Sequence, residues 1–295
     1  MKNKKRYQND YAYLSEKYPK ISFHLYQEEK LNKNLYDGTN FLFAIEGYIT
    51  VPHSYDLEVI KKFKGLITHN SKFYEQNKNK VNIILSNGYP DWNASYFKLE
   101  DNEFISYDEK IKGICALYKI YKTNNSGDIV YLRKQVFNKL KGITKHSYGR
   151  VPFGGKNFQN ISTDPSTKDS LQIINKYLFN LTLEPMYHEM WSWDWITERL
   201  WNSFRTKTMP IYFGCYNIEN LVPKEFYIDM REYILTEKPK ITFDCKRLVA
   251  DLKSYPKDKY IETVNKAYEW QKSNKIGNID ELEKLFNSLD YGDLK

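Results

Sequence analysis

The sequence predicts an α/β protein built as two Rossmann-like halves facing each other. Three observations predict it. Short apolar runs alternate with amphipathic stretches along most of the chain. That alternation breaks once, at a polar segment over residues 100–112, and then resumes. The chain has 295 residues, enough for two domains or one large one, and shows no internal repeat.

In the first half, "NFLFAIEGYITVP" (40–52) reads as a buried strand followed by a loop that holds Glu46. "YDLEVIKKFKGLITHN" (55–70) reads as a short helix and a second strand. "VNIILSNG" (81–88) is a third strand, stopped by Asn-Gly-Tyr-Pro turn chemistry. The polar "EDNEFISYDEKIK" is a linker.

The second half opens with "GICALYKIY" as strand, "TNNSGD" as loop and "IVYLRKQVFNKLKG" as helix. Ile129, Leu132, Val136 and Leu140 keep helical spacing there and leave Arg133 and Lys134 off the main stripe. "SYGRVPFGG" reads as a Gly- and Pro-rich turn, and "SLQIINKYLFNLTLEP" as a helix running into a strand that ends at Glu184-Pro185. "WITERLWNSFRTK" is a helix capped by Asp194, followed by the strands "MPIYFG" and "FYIDM". Beyond Lys246, two helical segments flank Pro256. The expected division is 1–108, 109–245 and a helical tail, 246–295, with packing of the tail on the first domain left open.

The chain is 41% hydrophobic and 28% charged, which supports a packed core and argues against general disorder. The aromatic share of 16%, with 26 Tyr and 6 Trp, suits ring-binding clefts, although an AT-rich coding sequence would raise it too. A net charge of +8 favours polyanionic partners such as nucleotide phosphates, acidic lipid or nucleic acid. Lysines are spread along the whole chain, densest at "KNKKR", in the manner of a solvated surface. A nucleic-acid partner is therefore not expected. Cys115, Cys215 and Cys245 form no CxxC, so neither zinc nor a disulfide framework is indicated, and a reduced, cytoplasmic setting is expected. No apolar run reaches membrane-spanning length and no signal-peptide core is present; peripheral attachment to a membrane stays open.

In open α/β sheets, ligands sit beyond the carboxyl ends of the strands. That rule places Glu46, Glu184 and the 185–198 loop near clefts. A helix N-terminus holds phosphate through its unpaired N–H groups, and Arg199 can add a charge-assisted fork. Glu198 can accept hydrogen bonds from sugar hydroxyls. Adjacent helical residues do not face each other. Glu198 and Arg199 therefore read as a recogniser of a sugar joined to a phosphate, or else as a solvated pair on an exposed first turn. No Asp-x-Asp occurs, so no metal or other cofactor is expected on a diphosphate. The five histidines show no ligand spacing.

"KYLFNLTLEP…DWITERLWNSFRTKTMPIYFGCYNIENLVPKEFYID" resembles the C-terminal signature of the family 10 glycosyltransferases, the α-1,3-fucosyltransferases. "LRKQVFNKL…HSYGRV" is similar to that family's Arg-helix and Ser-Tyr-Gly turn, and "DLKSYPKDKYIETVNKAYEW" to its closing helices. The resemblance covers residues 110–270 or so. It implies a two-domain GT-B architecture, a GDP-fucose donor held by the C-terminal half, and metal-independent transfer with inversion to an oligosaccharide or glycoconjugate. Carried over by position, Arg133 and Arg199 would hold the pyrophosphate and Glu198 the donor hydroxyls. Trp195 would replace the motif's Tyr, and Glu184 and Tyr148 would join the donor site. Pro185 stands where the family has Asn, and the 185–197 loop is longer than usual, so a related GDP-sugar stays open as donor. In the first half, the resemblance implies Glu46 as general base, against a reading as an ordinary turn carboxylate. Asp56 and Asp91 are in reserve, and His53 is a candidate for the acceptor cleft.

Overall fold

The computed structural model describes residues 17–18, 21–24, 41–44, 52–86, 99–118, 129–149, 158–160, 168–237, 240–274 and 279–289. The chain divides into two compact units. The first comprises Met1–Pro90, Glu189–Trp195 and Ile279–Lys295; the second comprises Asp91–His188 and Ile196–Asn278.

The first unit carries four parallel strands in the order β1 (Ile21–His24), β2 (Phe41–Ala44), β3 (Gly65–Thr68) and β4 (Ile83–Leu85). Between β2 and β4 run the short helices α1 (Leu57–Ile60) and α2 (Ser71–Asn77). β2 and β3 are buried at every residue, as a parallel strand covered on both faces requires. Leu42 and Ala44 pack with Tyr55, Ile60, Phe63, Leu66 and Phe73. Phe43, pointing the other way by strand alternation, meets Phe286 edge-on at 5.6 Å between ring centroids.

The segment 189–195 is built into this unit. Asn70 donates to the Met190 carbonyl (2.8 Å), and the Asp194 carboxylate accepts from the Ser71 amide (2.9 Å). Trp191 packs against Tyr55 and Phe73. Asp194 therefore serves the first turn of α2 and, contrary to expectation, caps no helix at Trp195; its own backbone is left-handed, at φ 58°.

The second unit carries six parallel strands. In chain order its elements are β5 (Ile111–Leu117), α3 (Val130–Lys139), β6 (Thr144–Gly149), β7 (Phe158–Asn160), α4 (Lys168–Asn175), β8 (Tyr177–Leu183), α5 (Glu198–Arg205), β9 (Met209–Phe213) and β10 (Ile228–Asp229). A small antiparallel pair, β11 (Ile234–Thr236) and β12 (Thr242–Phe243), follows. Then come α6 (Cys245–Lys253), α7 (Lys257–Asn274) and, in the first unit, α8 (Ile279–Ser288).

The sheet order β10-β9-β8-β5-β6-β7 means that the chain winds outward from β5 on one side and then returns to its other side at β8. The winding direction reverses between β5 and β8, which is where such sheets open a crevice. Leu132, Val136, Leu248 and Tyr260, from α3, α6 and α7, cover one face over Ile114, Leu181 and Ile211. On the other face, Ile173 and Ile174 of α4 pack on Cys115 and Leu117, and Trp201 and Phe204 of α5 join Tyr212. At the amino edge of the sheet the buried Lys110 ammonium donates to the carbonyls of Asn175 (2.7 Å) and Thr206 (3.2 Å), where α4 and α5 end. Helix C-termini favour a cation, while burial pushes Lys110 down to about 7.

Several expected elements shift. Residues 147–149 are not turn but the end of β6, and Gly149 is needed there: at φ 143°, a Cβ would lie 2.0 Å from the Tyr118 carbonyl oxygen. The helix expected from Trp195 starts at Glu198, because Thr197 caps it. Only Ile228 and Asp229 of "FYIDM" join the sheet. The tail holds a third helix, α8, beyond the two expected.

The β5–β8 register runs from Ile111↔Tyr177 to Cys115↔Asn180 and then stops. Past that point the buried Tyr118 hydroxyl takes over, donating to the Leu181 carbonyl and accepting from the Leu183 amide (2.9 Å). Tyr118→Phe should lower stability by about 1–3 kcal/mol, because it strands those buried backbone groups. Urea unfolding should show a lower midpoint at unchanged slope.

Candidate functional site

Glu184 is the first residue past β8, fully buried at the carboxyl end of the strand. Its amide donates to the Phe213 carbonyl (2.8 Å), which extends the β8–β9 ladder by one bond. Its carboxylate reaches the start of α5: Oε1 accepts from the Thr197 amide (2.9 Å) and Oε2 from the Thr197 hydroxyl (2.7 Å). Thr197 is the N-cap, and its Oγ1 in turn accepts from the Arg199 Nη1 (2.8 Å). Arg199 Nη1 lies 3.6 Å from Glu184 Oε2 and 3.5 Å from Glu198 Oε1.

This arrangement explains why Glu198 and Arg199 stand side by side. The guanidinium folds back over the helix cap, where it offsets one buried and one half-buried carboxylate. Burial pushes the Glu184 carboxyl up, while Arg199 and the two Thr197 donors pull it down. The site thus holds two carboxylates, one guanidinium and a helix N-terminus within a few bonds of the β5–β8 crevice.

Gly214 ends "MPIYFG" for a steric reason. A Cβ there would fall 2.2 Å from the Glu184 Cβ, so a side chain would displace the carboxylate.

Arg133 reaches the same end of β8 from α3. It is fully buried, its Nε donates to the Leu183 carbonyl (3.1 Å), and its guanidinium carbon sits 4.8 Å from the Tyr118 ring centroid. The Ile129 amide, at the head of α3, bonds the Pro185 carbonyl (2.9 Å). Pro185 therefore keeps a structural role through its carbonyl, although its ring offers no donor.

Four of the sequence-derived candidates, Arg133, Glu184, Glu198 and Arg199, are thus brought to one place. Tyr148 is not among them: its hydroxyl bonds that of Tyr177, and its ring packs with Cys115, Ile173 and Ile174 under α4. Trp195 is buried and assigned to the first unit, and its Nε1 has no hydrogen-bond partner among the described residues. His53 is exposed in a 3-10 turn, Pro52–Tyr55. Asp56 is exposed and caps α1 by accepting from the Glu58 amide (2.9 Å). Glu46 and Asp91 lie outside the described residues. Among the described residues, no three His, Cys, Asp or Glu side chains gather as a metal-binding group.

Two site residues escaped sequence reasoning. Thr197 had a signal, since a threonine directly before an acidic first turn is a common N-cap. Tyr118 had none, because its role depends on where two strands part.

Two units with parallel sheets and covering helices form the GT-B architecture of nucleotide-sugar transferases. Residues 108–289 match glycosyltransferase family 10 (fucosyltransferase), C-terminal part, and the chain belongs to that family. It is 34% identical over 87 residues, 28% of this chain and 17% of the other, to GDP-fucose protein O-fucosyltransferase 3 of Xenopus tropicalis. It is 30% identical over 106 residues, 35% of this chain and 26% of the other, to 4-galactosyl-N-acetylglucosaminide 3-alpha-L-fucosyltransferase 9 of Bos taurus. Each match spans well under two thirds of the relative's length. A solved α1,3-fucosyltransferase with GDP shares the fold at a TM-score of 0.50 and 11% identity, over 94% of this chain and 80% of that one.

Gly214→Ala should destabilise the protein by about 1–3 kcal/mol, because the new methyl cannot coexist with Glu184 in place. A thermal melt checks it; a melting temperature equal to the parent's would show that the Glu184 backbone can yield.

Proposed function

We propose that this protein transfers fucose from GDP-fucose to a hydroxyl of a glycan or glycoconjugate, with inversion and without a metal ion. The observation that carries the reading is the grouping of Arg133, Arg199, Glu184 and Glu198 about the N-terminus of α5 at the carboxyl end of β8. A diphosphate needs positive charge and N–H donors; a sugar needs carboxylate acceptors. This grouping offers both. Family membership supports the reaction class. One relative's name specifies a GDP-fucose donor and a protein acceptor, and the other's a galactosyl-N-acetylglucosaminide acceptor.

In the proposed reaction, the acceptor oxygen attacks the anomeric carbon while Glu46 takes its proton. The bond to the diphosphate breaks with its electron pair on GDP. Arg133, Arg199 and the helix terminus neutralise the charge that develops there. Glu184 serves by fixing Thr197 and Arg199, and Glu198 meets donor hydroxyls. Acceleration beyond that of one base comes from orientation and charge stabilisation. A second reading keeps this grip and changes the sugar: with Pro185 after the strand-end Glu184, that position offers no side-chain donor to a fucose hydroxyl. Competition between GDP-fucose and other GDP-sugars separates the two.

Arg199→Ala should weaken GDP binding by about 1.5–3 kcal/mol, roughly 10- to 150-fold in Kd by calorimetry. Arg199→Lys should restore only part, since it lacks the fork. An unchanged Kd in the alanine variant would reduce Arg199 to a structural counter-ion of Glu184.

Glu46→Gln should leave the GDP Kd intact and lower kcat by about 10²–10⁴-fold. Both rates are measured in EDTA. Activity that appears only when Mn²⁺ is restored would overturn the metal-free mechanism, and full activity of the variant would move the base elsewhere.

A further inference from the structure

Residues 129–163 contain no aspartate or glutamate, against about four expected from the chain's average, yet hold seven arginines and lysines. Arg133 is buried in the site already described. Lys134 and Lys139 lie on α3, Lys141 in the turn after it, and Lys145 at the start of β6. The fold adds a lysine from far along the chain. α6 packs beside α3, and a Cβ built on Gly142 would stand 3.7 Å from the Lys253 Nζ. Lys139 and Lys145 both act on the Cys245 thiol at the head of α6. Lys139, Lys141 and Lys253 are exposed, and Lys145 is half-buried. None of the four forms an ion pair among the described residues.

Basic residues near a helix C-terminus complement its carbonyls, and Lys145 does so by donating to the Phe137 carbonyl. A helix end carries only about half a charge, so one ammonium suffices. The others add repulsion: burial and the neighbouring Lys141 hold Lys145 below the ordinary lysine range. The acidic groups of α6 and its cap are engaged elsewhere. Asp244 accepts from the Arg247 amide, and Asp251 accepts from the Tyr233 hydroxyl. Among the described residues, folding therefore gathers like charges without a carboxylate paired to them.

We propose that the lysine face formed by Lys139, Lys141, Lys145 and Lys253 docks the protein on an anionic phospholipid surface. The observations favour lipid over nucleic acid. Ammonium groups are hydrated point charges without the fork that reads a phosphate or a base. Among the described residues of α3 and α6 one ring, Tyr131, is exposed, where a single strand would need a series of stacking platforms. A bilayer surface asks only for charge close to its headgroups, and each lysine there adds about fivefold to partitioning. Among the described residues no helix is long and apolar enough to cross a membrane, so attachment by this face would be peripheral. The inference does not depend on the proposed reaction.

The test is co-sedimentation of the full chain with vesicles of phosphatidylcholine alone or with about a third phosphatidylglycerol, at low and high salt. Binding should require the anionic lipid and fade with salt. The triple variant Lys139→Gln, Lys141→Gln, Lys253→Gln should lose about a hundredfold in partitioning. Its melting temperature and GDP Kd should equal the parent's, and Lys141→Gln alone should lose about fivefold. Three results would overturn the proposal: a parent that ignores anionic vesicles, a triple variant that binds them as well as the parent, or displacement from vesicles by an oligonucleotide at equal phosphate.

Discussion

The pair of hydrogen bonds that Thr197 donates to the Glu184 carboxylate is the constraint on which the site depends. A carboxylate with no exposure to water is costly unless its oxygens are matched, and here each oxygen has a donor from one residue. That residue is also the cap of α5, so the strand end and the helix start are joined at their polar groups. Arg199 then has little freedom: its guanidinium bonds the same threonine and stands beside both glutamates. Break the carboxylate's hold and the cap, the arginine and the charge balance loosen together.

The surrounding sheet is arranged to keep this join in place. Just past β9 stands Gly214, where Glu184 needs room, and the last carbonyl of β9, Phe213, accepts from the Glu184 amide and fixes its register. On the other side, β5 and β8 separate beyond Asn180, and Tyr118 bridges the gap with one hydroxyl. Arg133 lies over that same ring and bonds the last carbonyl of β8. The position of the expected crevice therefore follows from winding direction, while the buried Tyr118 and Arg133 fill the strand ends beside it.

The loop between the two glutamates shows how extra length can be used. It leaves the second unit after His188 and rejoins it at Ile196. In between, Asn70, Ser71, Tyr55 and Phe73 hold its backbone, carboxylate and rings. Its run of tryptophans thus answers a packing need in the first unit. Asp194 serves there too, which is why the cap of α5 passes to Thr197.

The sequence by itself determined the class of fold and the family resemblance, and it was that resemblance that implied Arg133, Glu184, Glu198 and Arg199 as one donor group. The class of fold depends on local periodicity and the resemblance on motif spacing around strand and helix ends, both of which survive in a linear string. At "SYG" the sequence read as a turn, where the structure has the end of β6, with Tyr148 packed against Ile173 and Ile174 of α4. It also missed the role of Tyr118, the reason for Gly214 and the arrival of Lys253 beside Gly142. Each of these joins residues more than 20 positions apart in the chain, and only the packing of sheet and helices brings them together.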